Sequence, residues 1–173
     1  MQQPHPPVWL ASSSPDAIDW SAAHGYSILM DPHSTHADLG TKYQDYLGAL
    51  ADHGHSADGR VTPMARLVAV AATDDEAREV ARRGAEWTIA SYINPARTSF
   101  TPDLRPASAR SAPAPTVDPV TRYVDQVIIH GSPSRVVDEL HRLQDEIGLH
   151  YLLCAPLSHE SFLRLTEEVI PRV

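Results

Sequence analysis

Short apolar runs alternate with amphipathic stretches along this chain, and that alternation excludes most architectures. Val8 to Ala11 is apolar, follows Pro6-Pro7 and ends in Ser12-Ser13-Ser14, the pattern of a buried strand and a turn. A helix is then expected, because Ser14 suits the N-cap, Pro15 the first helical position, and Asp16 and Asp19 the positive end. Gly25 closes that helix, and Tyr26 to Met30 reads as the next buried strand. Leu39, Tyr43, Tyr46, Leu47 and Leu50 recur at helical spacing until His53-Gly54. Met64 to Ala72 predicts a third strand, and Thr73 with Glu76 forms a capping box that opens a helix running toward Tyr92. Tyr123 to Ile129 is expected to be a short helix, and Gly131-Ser132-Pro133 caps another that ends at Ile147-Gly148. Tyr151 to Ala155 is then the fourth strand, and Ser158 to Val169 the last helix.

Strands and helices in this order pair in parallel through right-handed crossovers, as in a (βα) barrel or a doubly wound sheet. A closed barrel needs about eight such units in about 250 residues, so a chain of 173 residues holds the material of half of one. The expected fold class is α/β, a half barrel of parallel strands, in a single domain over 1–173. Between Pro95 and Pro119, Pro102, Pro106, Pro113 and Pro115 stand among Ser, Thr, Ala and Arg, a composition too poor in apolar groups to order itself. A long mobile loop is expected there, as a linker or as a functional lid.

Composition narrows the partners. A net charge of -8 and no basic cluster longer than Arg82-Arg83 argue against a nucleic-acid partner. The lone cysteine, Cys154, excludes an internal disulfide and a cysteine zinc site. No segment has the length of a membrane span, and the first residues lack the pattern of a signal peptide, so a cytoplasmic protein without a membrane partner is expected.

Several chemical motifs fall short. Asp31, His33 and His36 share a loop, with His53 and His55 beyond the next helix, but the spacing is irregular and these read as solvated histidines. Ser158-His159-Glu160-Ser161 lacks a nucleophile elbow, so Ser158 reads as an N-cap and His159 as a solvent-facing side chain. Cys154 reads as a buried, unreactive thiol, and Trp9, Trp20 and Trp87 as packing residues.

Pro6-Pro7-Val8-Trp9-Leu10-Ala11-Ser12-Ser13-Ser14-Pro15, followed by Trp20 to Tyr26, resembles the fifth-strand segment of the bacterial luciferase-like monooxygenases. Glu86-Trp87 through Ser91-Tyr92-Ile93-Asn94 is similar to that family's helix before its mobile loop. Gly131-Ser132-Pro133 is similar to the cap of its last large helix, and Leu152-Leu153-Cys154 to its eighth strand. The resemblance implies a TIM barrel that binds reduced FMN, or a reduced deazaflavin, at the C-terminal strand ends, where oxygen and a small-molecule substrate react. It places Ser12, Ser13 and Ser14 in the cradle of the flavin phosphate, and a helix N-terminus is an anion site on physical grounds alone. Members of the family often carry an acidic residue in this turn, where this chain has Ser13, which leaves the subtype open.

The family's first four strands, with its active-site histidine, have no counterpart in this sequence, so no catalytic residue is transferred. The expectation is therefore a C-terminal half, active only when completed by a chain supplying the N-terminal half or by a second copy of itself. The alternative is a non-redox binding or scaffold remnant, as a homodimer.

Overall fold

The computed structural model describes residues 6–93 and 117–173. Strand β1 (Trp9–Ala11) leads into α1 (Pro15–Ala23), β2 (Ser27–Leu29) into α2 (His36–Asp52), and β3 (Met64–Val70) into α3 (Asp74–Thr88). A π-helical turn (Ile89–Ile93) continues α3. After α4 (Pro119–Gln126) come β4 (Ile129–Gly131), α5 (Pro133–Ile147), β5 (Leu152–Pro156) and α6 (His159–Arg164), which runs on as a π turn (Leu165–Val169) and a 3-10 turn (Ile170–Arg172).

Local chemistry sets the helix boundaries. Ser14 Oγ accepts from Ala17 N, and Gly25, at φ 66°, ends α1 in the left-handed conformation. Gly25 N then donates to Ala22 O and Tyr26 N to Ser21 O, so two carbonyls of the last turn are satisfied. The Thr73–Glu76 capping box forms in both directions. Gly148, at φ 73°, closes α5. Ser132 is the N-cap of α5 by position, without a side-chain hydrogen bond.

All strand pairs are parallel. β1 pairs with β2, and a bridge between Met30 and Met64 joins β2 to β3. Met64 to Val68 of β3 pairs with β5, while Val68 to Val70 pairs with β4. The described residues thus hold five strands where four were expected. The residues expected to form a helix over 123–129 divide instead: α4 ends at Gln126, and Ile129 enters β4. The physical reason is that Val127-Ile128-Ile129 is β-branched and meets the edge of β3, which supplies backbone partners a helix would forgo. The segment 95–119 expected to be a mobile loop lies outside the described residues except at its end, where Pro119 opens α4.

Alternation along the strands divides the core. Met64, Val68 and Val70 pack with Ile28, Met30 and Ile129 against α1, α2, α5 and the C-terminal π turn. Ala69 and Ile128, on the other face, meet Ala81 and Ala85 of α3 and Val124 of α4. Among the described residues β1 pairs with β2 alone and β5 with β3 alone, and these two edge strands are the least covered. Trp9 is 44% exposed, Tyr151 is 43% exposed, and their rings lie 6.1 Å apart. β1 is therefore not the buried strand that its apolar sequence suggests, and Cys154 in β5 is exposed rather than buried. Apolar sequence records a demand for cover, and in both strands only one edge is met by a neighbour among the described residues.

Candidate functional site

Parallel pairing brings every strand-to-helix turn to the same end of the structure, where sites of parallel α/β folds are built. The three serines after β1 have three different environments. Ser12 is buried, its hydroxyl shares a hydrogen bond of 3.0 Å with that of Ser21, and its N–H donates to Leu29 O. Ser14 is occupied as the cap of α1. Ser13 is exposed and makes no hydrogen bond among the described residues, so it is the serine able to offer its hydroxyl to a ligand.

The turn after β2 is far more heavily built. Asp31 accepts from His33 N at 2.9 Å, from Ser34 N and Ser34 Oγ at 2.7 Å, and from Lys42 Nζ at 3.0 Å. Burial raises its carboxyl pKa, but these hydrogen bonds together outweigh burial and hold it at about 2. Beneath the turn lies Arg66 of β3, only 1% exposed, which donates to Asp31 O, Ser34 O and Ala65 O. Burial lowers its pKa to about 10, which Asp31 partly opposes, so the guanidinium stays charged at neutral pH. A planar fork of donors thus pins the loop's carbonyls from below.

On this platform His33 meets α4. Its Nδ1 lies 2.6 Å from Tyr123 Oη, and its ring is stacked 6.4 Å from that of Tyr92. Burial pushes the Tyr123 hydroxyl up to about 12, so it is protonated and available to donate. His36, one turn on, is buried, donates from Nε2 to Val127 O at 3.1 Å, and has Nδ1 3.6 Å from Glu139. Burial lowers its pKa to about 4, with Arg66 acting in the same direction and Glu139 opposing. His36 is therefore a buried, anchored group and not the solvated histidine its spacing suggests, whereas His33 is exposed, as expected, although Tyr123 holds one of its ring nitrogens. No group of three metal-ligating side chains occurs among the described residues.

Beside them opens a cleft of about 360 Å³, bounded by the β2–α2 turn, the end of α3 and α4. His33, Asp38 and Arg122 supply its polar chemistry, and Ile89, Pro119 and Val127 much of its apolar wall. Sequence reasoning missed Arg66, Arg122 and Tyr123. Arg66 had a signal, a charge at an inward position of an otherwise apolar strand, whereas Arg122 and Tyr123 gain meaning only from where α4 docks.

The remaining candidates separate cleanly. Ser158 caps α6 by accepting from Ser161 N, and His159 is exposed and stacked on Phe162. Cys154 is exposed, and the protein around its sulfur pushes the thiol pKa up. The tryptophans are not core residues: Trp20 is 51% exposed and stacked on His24, and Trp87 is 63% exposed and edge-on to Tyr92.

Known proteins place this architecture. The oxygenating constituent of 3,6-diketocamphane monooxygenase from Pseudomonas putida, solved in complex with FMN, is 20% identical with a TM-score of 0.67 over 97% of this chain and 49% of its own. An F420-dependent secondary alcohol dehydrogenase, solved with an F420-acetone adduct, is 14% identical with a TM-score of 0.68 over 99% of this chain and 50% of its own. The F420-dependent tetrahydromethanopterin reductase of Methanopyrus kandleri is 13% identical with a TM-score of 0.64 over 95% of this chain and 50% of its own. The chain thus spans about half the length of these solved structures, and the likeness carries the fold. No sequence among curated proteins matches. The profile of the luciferase-like monooxygenases matches residues 1–150, and the chain belongs to that family.

Proposed function

We propose that this chain forms one half of a flavin- or deazaflavin-dependent oxidoreductase barrel and holds the cofactor's phosphate at the turn Ser12–Ser14. The observation that carries this reading is the exposed Ser13 at the N-terminus of α1, directly after β1, in a chain matched to the luciferase-like family. The residues fit a phosphate in part. Ser13 offers a hydroxyl and the first turn of α1 its positive end, while Ser14 is occupied as cap and Ser12 is buried against Ser21.

When bound, a reduced flavin would supply electrons to oxygen and a reduced deazaflavin a hydride. This chain's own part is to hold the phosphate, to stiffen the neighbouring β2–α2 turn through Arg66, and to shape the cleft beside it. The strands that close the barrel come from a chain supplying the N-terminal half or from a second copy of this chain. Two features support this: the exposed edges β1 and β5, and the match to about half of each solved neighbour.

The test is an amide NMR titration with FMN and with riboflavin, which lacks the phosphate. FMN is expected to shift Ser13 and Asp16 where riboflavin does not, and Ser13→Ala to weaken FMN binding about tenfold, the scale of one lost charge-assisted hydrogen bond. Equal shifts by both ligands, or none at this turn at millimolar FMN, would reject the site.

A further inference from the structure

The two edge strands turn toward one another. Val68 pairs with both Ile129 and Pro156, and Met64 with both Met30 and Leu152, so β4 and β2 lie on one side of β3 and β5 on the other. Laterally the strands run β1, β2, β3, β5, with three spacings of about 4.8 Å between the outer two. Side chains of a flat sheet stand perpendicular to it and would not meet over that span. Trp9 and Tyr151 nevertheless have ring centroids 6.1 Å apart, so the sheet is curled and its open edges face a common side.

The edges also share a direction. Because every pairing is parallel, a two-fold axis along the strands sets β1 of one copy beside β5 of the other, in parallel, and repeats the same contact at a second seam. One contact made twice then leaves neither edge open. Trp20 on α1, and Phe162, Leu163 and Ile170 on and just after α6, are exposed on the helices that follow these two strands. The chain matches 49% of one solved neighbour and 50% of another, so two copies supply the residues of one such barrel.

At each seam the turn after β1 stands beside the turn after the β5 of the other copy, at the same end. Ser13 is exposed in the first turn, and His159 is exposed in the second. The His159 ring is stacked on Phe162 and makes no hydrogen bond among the described residues, while Glu160 beside it is paired with Arg164 at 3.1 Å. An imidazole carries an N–H in either charge state, so His159 can donate to a phosphate oxygen. We propose that the phosphate site is shared between two copies of this chain, with Ser13 from one and His159 from the other. The proposal rests on the reading of Ser12–Ser14 as the phosphate turn, and it commits the completing partner to a second copy.

Complementation on the full chain tests it. Ser13→Ala and His159→Ala should each weaken FMN binding about tenfold, the scale of one lost charge-assisted hydrogen bond. Equilibrated as an equimolar mixture, the two variants should regain the parent affinity at about a quarter of the sites, because every mixed dimer has one seam with both residues intact. A mixture that binds no better than its parts would overturn the shared site. So would a His159→Ala chain that binds FMN like the parent while Ser13→Ala does not, a result that leaves the phosphate turn in place. Indifference of FMN to Ser13→Ala would remove the phosphate turn itself. The seam is read without flavin in a Cys154→Ser background, where Ser13→Cys and His159→Cys chains should be joined by a short bis-maleimide when mixed. No excess of cross-linked dimer in the mixture over either variant alone would reject the seam.

Discussion

His36 shows how a side chain of ordinary sequence context becomes a determinant of stability. It is neutral in the folded protein because burial brings its pKa from 6.5 to about 4, with Arg66 and Arg142 pushing the same way and Glu139 and the Val127 carbonyl opposing. A base whose folded pKa is depressed contributes stability that is complete above its unfolded pKa and is lost as pH falls through the folded one. The window here runs from pH 6.5 down to about 4, and the loss is on the order of 3 kcal/mol. Urea unfolding of the parent chain and of His36→Gln at about pH 7.5 and about pH 4 measures it. The variant keeps a donor for Val127 O and should lose about 3 kcal/mol less on acidification. Parallel losses in the two proteins would show that His36 does not titrate with unfolding.

Between elements, one close approach that a sequence reader would overlook is that of α2 to α5. A Cβ added at Gly40 would stand 2.8 Å from Ile147 Cγ2 and 3.1 Å from Ile147 Cβ, a β-branched group with little freedom to move aside. Gly40→Ala should therefore destabilise by about 1–2 kcal/mol, overpacking exceeding the roughly 1 kcal/mol that alanine adds to a helix interior. In an Ile147→Ala background the Cγ2 contact at 2.8 Å is gone while Cβ stays at 3.1 Å, so the same substitution should cost at least about 1 kcal/mol less than in the parent chain. Thermal or urea unfolding of the four proteins reads this cycle, and an equal cost of Gly40→Ala in both backgrounds would place it elsewhere. The same scale explains α4. Asp118 accepts from Thr121 N and Pro119 starts the helix, both legible as N-terminal signals, yet its end at Gln126 is set by β3, which draws Ile129 into β4.

At the scale of the whole molecule, the exposed edge strands β1 and β5 decide behaviour in solution. β1 and β5 each present one backbone edge, with Trp9, Tyr151 and Cys154 exposed about them. Covering apolar surface contributes about 25 cal/mol per Å², so even several hundred Å² favours association by several kcal/mol before its entropic costs. At micromolar concentration, sedimentation is expected to find more than one chain per particle. Leu153→Lys, which puts a charge on β5, should shift the population toward monomer and leave Cys154 more reactive to a thiol reagent. A parent chain that stays monomeric from about 1 to 100 μM would refute closure by a second copy and leave a chain supplying the N-terminal half as the partner.

The sequence alone determined the α/β class, the parallel pairing, the starts of α1, α3, α5 and α6, and the family. These rest on local chemistry: Ser14, Thr73 and Ser158 cap in the sequence's own frame, Gly25 and Gly148 adopt the left-handed turn, and periodicity separates strand from helix. Tertiary structure decided the rest. Whether Trp9 or Cys154 is covered depends on what stands beside an edge strand, and Ile129 entered β4 because β3 lay beside it. The cleft was equally hidden, since His33 and Tyr123 are 90 residues apart and acquire a shared chemistry only when α4 docks on the β2–α2 turn. Local signals travel a few residues along the chain, whereas burial, tautomer and charge pairing are properties of neighbours that only folding brings together.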